Sequence, residues 1–145
     1  MELNSSFQTA DATVYEGEAG GFYAATGPTS PAIPQGKLAA GKLVLHPRGF
    51  APPHYSDTFN IGYVAQGSGR VQIMGLNGTR ALDADVQEDQ AFVVPKIFVA
   101  TQLAGERGME FFCISTSSRP IVGQLAGQES VWKALSSLQL FCKLR

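Results

Sequence analysis

Short apolar runs, separated by turn residues at regular intervals, most constrain what this 145-residue chain can fold into. The runs lie between Gly36 and Ser115, and Gly, Pro, Asn or Asp residues close them. They are Lys42–His46, Ile61–Ala65, Arg70–Met74, Ala91–Pro95, Phe98–Leu103 and Met109–Ile114. None of them has the 3.6-residue period of a helix, so the spacing predicts an all-β sandwich or closed barrel. Gly67-Ser68-Gly69 is predicted to be a tight turn between two strands.

The length suits a single domain with one core. We predict that residues 36–120 form a barrel. Residues 1–35 are rich in Gly, Pro, Ser and Thr, and we expect an arm with one or two short strands that lies over the sheet. Residues 121–145 are predicted to hold one helix and a tail, because Val131, Leu135 and Leu138 line one helical face.

Composition and charge exclude several classes of function. The formal net charge of -1 argues against a nucleic-acid partner, which would require a basic face. No segment approaches the ~20 apolar residues that cross a bilayer, so no membrane partner is expected. The first residues lack a secretory signal pattern, which leads us to expect a cytoplasmic protein. The acidic residues of one run are predicted to be solvated loop charges: Asp83, Asp85, Glu88 and Asp89.

The stretch from Phe50 to Ile73 resembles the first motif of the cupin superfamily, and it is most similar to the 11S globulin (legumin-like) branch of plants. His54 fits the first histidine of that motif, and Gly67 closes the motif in register. The second cupin motif resembles residues 89–100, where Pro95 matches the motif proline. The resemblance implies a single cupin β-barrel of the jelly-roll type, with an N-terminal arm and one C-terminal helix.

The same resemblance places a metal site in this barrel for the metal-binding members of the family. In those members, two imidazoles, a carboxylate and a third imidazole converge on Mn, Fe or a similar ion. Here Ser56 stands at the second histidine, Asn60 at the glutamate and Ala100 at the last histidine. Because His54 alone would hold such an ion weakly, we expect no metal and no other cofactor.

Two functions remain open for such a barrel. The first is a metal-independent enzyme that acts on a small apolar metabolite by redox-neutral chemistry of the isomerase, cyclase or lyase type. His54 would be the acid/base, with Ser56 and Asn60 as orienting groups, and small residues would leave space where the metal lay. The predicted pocket residues are Gly62, Val64, Phe98, Ala100 and Cys113.

The second function is that of a non-catalytic globulin-like protein, either a storage relative or a small-ligand-binding module. In this case His54 is a packed core histidine in a filled barrel. Under either function we expect a homodimer, because two-barrel relatives pair their barrels through an apolar face that a single barrel leaves exposed.

Overall fold

The computed structural model describes residues 13–25, 37–127 and 130–134. Nine antiparallel strands account for most of these residues, and one turn of 3-10 helix follows them at Val131–Ala134. The strands are β1 Thr13–Gly17, β2 Gly20–Ala25, β3 Ala39–Leu45, β4 Phe50–Ser56, β5 Asn60–Met74, β6 Arg80–Gln87, β7 Ala91–Val94, β8 Val99–Ser115 and β9 Val122–Gln124. The prediction of an all-β fold is confirmed.

The strands form one curled sheet with two halves, because β5 and β8 are long enough to belong to both. In half A the order is β1-β2-β3-β8-β5-β7, and it uses the end of β8 and the start of β5. In half B the order is β9-β4-β8-β5-β6, and it uses the start of β8 and the end of β5. Side chains from the inner faces of both halves share one hydrophobic core.

Two glycines form the corner where the paired strands pass from one half to the other. The register between β5 and β8 shifts on both sides of Gly67, which lies opposite Met109. Gly67 and Gly108 both have positive φ angles, and a Cβ atom on Gly67 would overlap the carbonyl oxygen of Gly108. The predicted tight turn at Gly67-Ser68-Gly69 is therefore wrong, because these residues continue β5 through a bulged corner.

The core lies between the two halves. Every second residue of a strand points to the inner face, and the core consists of such residues. Val64 and Val71 are the largest completely buried side chains, one in each half. Phe92 of β7 meets Phe111 of β8 edge to face, with 5.5 Å between the ring centroids. The buried cluster consists of Leu45, Ala51, Val64, Val71, Ile73, Val86, Phe92, Val94, Ala100, Ala104, Met109 and Phe111.

The N-terminal strands differ from the prediction. β2 pairs in continuous register with β3, from Gly20 opposite Leu45 to Ala25 opposite Ala40, and β1 pairs with β2. These strands therefore extend half A at its edge instead of lying over the sheet. The backbone groups of β3 on that side thus find partners within the chain.

Two further strands contain residues that are typical of turns or loops. β6 holds Asp83 with its side chain on the outer face, where it accepts two hydrogen bonds from Arg70 at 2.6 and 2.8 Å. β4 contains Pro52 and Pro53, and its pairing with β8 is irregular between Ala51 and His54. A bulge accommodates proline because the missing N–H is not needed for the ladder there.

The predicted C-terminal helix lies largely outside the described residues, which include only 130–134 of that region. This part forms the 3-10 turn, whose Val131 and Trp132 are exposed. Within the portion of the chain that the structure describes, no helix has the length and apolar character to cross a membrane.

Candidate functional site

Strand β4 places His54 opposite Ala100 of β8 and Gln124 of β9. The imidazole Nδ1–H donates a hydrogen bond to the carbonyl oxygen of Pro52 at 2.8 Å. Burial lowers the pKa of His54 below its ordinary value, and the bond to Pro52 offsets part of that effect. The ring is therefore neutral at pH 7, with Nδ1 committed to the backbone.

Ser56 and Asn60 converge on Thr58, which joins β4 to β5. The Ser56 hydroxyl lies 3.1 Å from that of Thr58 and also accepts the Thr58 N–H at 3.3 Å. Asn60 Nδ2 donates to the Thr58 carbonyl oxygen at 3.1 Å, and Asn60 Oδ1 accepts the Ser115 hydroxyl at 2.5 Å. Among the described residues no hydrogen bond joins His54 to this group. Ser56 and Asn60 thus stabilise a connection between strands and are already satisfied by near neighbours.

Sequence reasoning missed Thr58 and Ser115 as members of this polar group. Both are buried. For Thr58, the alternation of polar residues at Ser56, Thr58 and Asn60 could have indicated a place in this polar group. Ser115 follows from the inward alternation of β8 through Phe111, which places every second residue on the inner face.

The space expected beside Gly62 is filled by an aromatic ring. Gly62 of β5 pairs with Phe92 of β7, and a Cβ atom on Gly62 would overlap the Phe92 ring. Phe92 is only 6% exposed and packs against Phe111. The prediction that a small residue leaves an open pocket here is wrong, because Phe92 enters from the neighbouring strand.

The other predicted pocket residues are core residues. Val64 and Ala100 are completely buried, and Phe98 packs against the core cluster from the loop before β8. Cys113 faces the same core and lies opposite Gly62. Burial raises the pKa of the Cys113 thiol to about 12, which leaves it protonated and a poor nucleophile at neutral pH.

One buried polar group was not anticipated. Gln102 is 2% exposed and lies between Ala100 and Ala104 on the inner face of β8. Its amide oxygen meets no hydrogen-bond donor among residues 13–25, 37–127 and 130–134. A buried acceptor of this kind costs stability, since it has lost its contact with water.

The metal that the cupin resemblance associates with this barrel does not fit the side chains present. Ala100 offers no donor atom, and the oxygens of Ser56 and Asn60 already take part in hydrogen bonds within the chain. That leaves one imidazole, whereas ions of the Mn or Fe class require several N and O donors. No group of three or more His, Cys, Asp or Glu side chains in the described part of the chain is placed to hold a metal ion.

Two concavities lie along the strands of half B. An open groove of about 610 Å³ is lined by residues that include Ser68, Arg70, Gln90 and Leu103. A smaller one of about 240 Å³ adjoins it, shares Arg70 and Leu103, and is lined also by Phe50. Arg70 is held there by Asp83, and the same contact lowers the pKa of the Asp83 carboxyl to about 2.

A sequence model of the Cupin family matches residues 5–140. The chain is 33% identical to glycinin G3 of Glycine max over 129 residues, which is 88% of this chain and 27% of the glycinin. It superimposes on the crystal structure of pumpkin seed globulin with a TM-score of 0.80 at 30% identity, covering 85% of this chain and 32% of that one. It is also similar to the 11S globulin of Wrightia tinctoria, a structure described as revealing an auxin binding site. There the TM-score is 0.82 at 26% identity, with 90% and 33% of the two chains covered.

These likenesses overturn the enzyme hypothesis. The chain spans about a quarter of the length of glycinin G3, and the relatives that it matches at 30% identity or more include this glycinin and a pumpkin seed globulin. The prediction of an isomerase, cyclase or lyase acting on an apolar metabolite is wrong. The space expected beside Gly62 is also taken up by the ring of Phe92.

Proposed function

The chain belongs to the cupin family, and from this membership we propose that it is a non-catalytic, globulin-like protein with a storage role. Its curated relatives include plant globulins such as glycinin G3, to which it is 33% identical. The observation that carries the proposal is the packing of the Phe92 ring on Gly62, where an active site of this fold would need open space. The polar remnants His54, Ser56 and Asn60 each have a structural partner.

A storage role has a direct test in the plant that carries this gene. We expect the chain to accumulate as an abundant protein during seed maturation and to fall during germination, as measured by quantitative immunoblotting over both periods. A leaf sample from the same plant serves as the control. A low and constant level in seed and leaf would contradict the proposal.

A second candidate is the binding of a small ligand on the surface. The auxin binding site reported for the Wrightia tinctoria globulin favours it, as does the groove of about 610 Å³ on half B. Calorimetric titration with an auxin tests this candidate, and Leu103→Asp should weaken binding at the groove. An unchanged affinity in that variant would place any bound auxin elsewhere.

The homodimer is part of the same proposal. It is supported by exposed apolar side chains on the outer surface of the sheet, a feature compatible with oligomer formation. The cytoplasmic location stays a prediction, and imaging of a fluorescent fusion in seed cells would test it.

A further inference from the structure

The inner face of half B carries a glutamine at its centre, among small and apolar side chains. Gln102 of β8 lies opposite Ala51 of β4 and opposite Val71 of β5, both of which are buried. Directly opposite residues of antiparallel strands place their side chains on the same face of the sheet, so Gln102 points into the barrel. Along β8 it is flanked on that face by Ala100 and Ala104. Short or apolar side chains therefore surround the amide of Gln102.

Two more polar side chains lie in the neighbouring row of the same face. His54 lies opposite Ala100 of β8 on one side and opposite Gln124 of β9 on the other. Because Gln102 is two positions from Ala100, it is the diagonal neighbour of His54. Diagonal neighbours in antiparallel strands are about 7–8 Å apart, which is within reach of long side chains. We name the group of Gln102, His54 and Gln124 the inner polar site.

Two hydrogen-bond acceptors of the inner polar site are unused. Gln102 is 2% exposed, and its Oε1 meets no donor in the described ranges 13–25, 37–127 and 130–134. The Nδ1–H of His54 donates to the carbonyl oxygen of Pro52, so Nε2 is an acceptor, and it too lacks a donor within those ranges. These two atoms cannot bond to each other, because neither carries a proton. Together they require a molecule that donates two hydrogen bonds.

The surroundings of the inner polar site favour an uncharged molecule. On the same face, Ile73 and Leu82 continue the row of Ala100, and Ala84 continues the row of Gln102. The charged side chains of β5 and β6 point the other way, where Asp83 accepts hydrogen bonds from Arg70. A charged molecule would lose its hydration inside the barrel and would meet no opposite charge there.

The unused acceptor on Gln102 is itself a reason to expect a bound molecule. A buried acceptor without a partner destabilises the folded chain, and native proteins contain few of them. Departures from such local rules are expected chiefly at functional sites. His54 and Gln124 are only half-buried, so the inner polar site can be reached from solvent at their end.

We propose that the inner polar site binds a small uncharged molecule with two hydrogen-bond donors, of the diol or primary-amide class. One donor meets Gln102 Oε1 and the other meets His54 Nε2, while the amide of Gln124 lies at the solvent end. No covalent bond changes. This inference goes beyond the storage role, and the site is separate from the groove considered for an auxin, since Leu103 points away from the inner face.

NMR titration with matched probes tests the inference. The reporters are the methyl signals of Ala51 and Ala100, which lie beside Gln102 and His54. The probes are propane-1,2-diol and acetamide, and each has a control that lacks donors: 1,2-dimethoxyethane and N,N-dimethylacetamide. We expect the controls to bind at least about 10-fold more weakly, since they leave both acceptors unpaired.

Substitution of Gln102 separates binding from stability. Gln102→Met should weaken binding of both probes by at least about 10-fold and should raise the Tm of the free protein. A residue with only a structural role would not move these two quantities in such opposite senses. The matched control is Gln66→Met, an exposed glutamine of β5, which should change neither quantity. Leu103→Asp should also leave probe binding unchanged.

Three results would overturn the inference. The first is a wild type that binds neither probe at concentrations that leave it folded. The second is equal affinity of Gln102→Met and the wild type, which would place any bound probe elsewhere. The third is a destabilised Gln102→Met together with a long-lived internal water at the Gln102 amide, because water would then already satisfy the site. None of these results depends on whether the protein accumulates in seeds.

Discussion

Replacement of Phe92 by Ala provides the sharpest measure of how firmly the barrel interior is filled. Phe92 is 6% exposed, contacts Phe111 edge to face and covers Gly62. Removal of a buried phenyl group costs about 3–5 kcal/mol, from lost transfer free energy and the cavity left behind. For a chain of this length that equals a fall of roughly 10–16 °C in Tm. Urea denaturation at one fixed protein concentration measures the change, since dimer formation would make stability depend on concentration.

The cavity left by Phe92→Ala should accept a small apolar ligand. We expect benzene to raise the Tm of Phe92→Ala and to leave that of the wild type unchanged, as occurs when an apolar cavity is created in a packed core. Leu76→Ala is the control: Leu76 is 75% exposed, so the free energy of unfolding should change by less than about 0.5 kcal/mol. A loss below about 1 kcal/mol in Phe92→Ala, or stabilisation of the wild type by benzene, would refute the filled interior.

Three other predictions concern the remaining buried groups. Gln102→Met should raise the free energy of unfolding by about 1–2 kcal/mol, since it removes a buried acceptor without a partner; a destabilised variant would show that the amide is satisfied. His54 has a lowered pKa in the folded state, so the unfolded state binds more protons below its ordinary pKa. The stability that the neutral His54 ring contributes is fully present above the ordinary pKa of histidine, and it is lost as the pH falls from there through the folded-state pKa. The urea midpoint of His54→Gln should accordingly fall less between pH 7 and pH 5 than that of the wild type or of His46→Gln, and equal slopes would contradict this. In a Cys142→Ser background, Cys113 should resist iodoacetamide at pH 8 until urea unfolds the chain, because about one thiol in ten thousand is ionised at a pKa of about 12; rapid labelling of the folded protein would show an accessible thiolate.

The strands that pack into the core could be predicted from the sequence, and the corners could not. Ala91–Pro95 became β7 almost unchanged, because its apolar residues alternate and turn residues follow them. Two pairs of predicted runs merged into β5 and β8, since the glycines between them bend a strand without ending it. A glycine in the sequence is compatible with a tight turn and with a bulged corner of a strand. Only pairing with a strand that is distant in the sequence distinguishes the two structures.

β6 escaped the sequence analysis because its outward residues are acidic and its inward ones include a small alanine. Asp83 looks like a loop residue until Arg70 is placed opposite, and that placement depends on register between strands. The arrangement of the candidate site also depends on the pairing of strands. The inward positions of Gly62 and Ala100 were predictable from alternation, but the ring that fills the space came from Phe92 on another strand.

The sharing of β5 and β8 by both halves of the sheet has a consequence for how the protein folds and unfolds. Pairing of Asn60 with Ser115 joins residues that are 55 positions apart, so the central ladder forms only after a long loop has closed. Such a topology predicts slow folding with a high contact order. Neither half can unfold while the other stays folded, because the unfolding of one half would disrupt β5 and β8, which the other half also contains. Hydrogen exchange in the centres of β5 and β8 should therefore occur only through global opening.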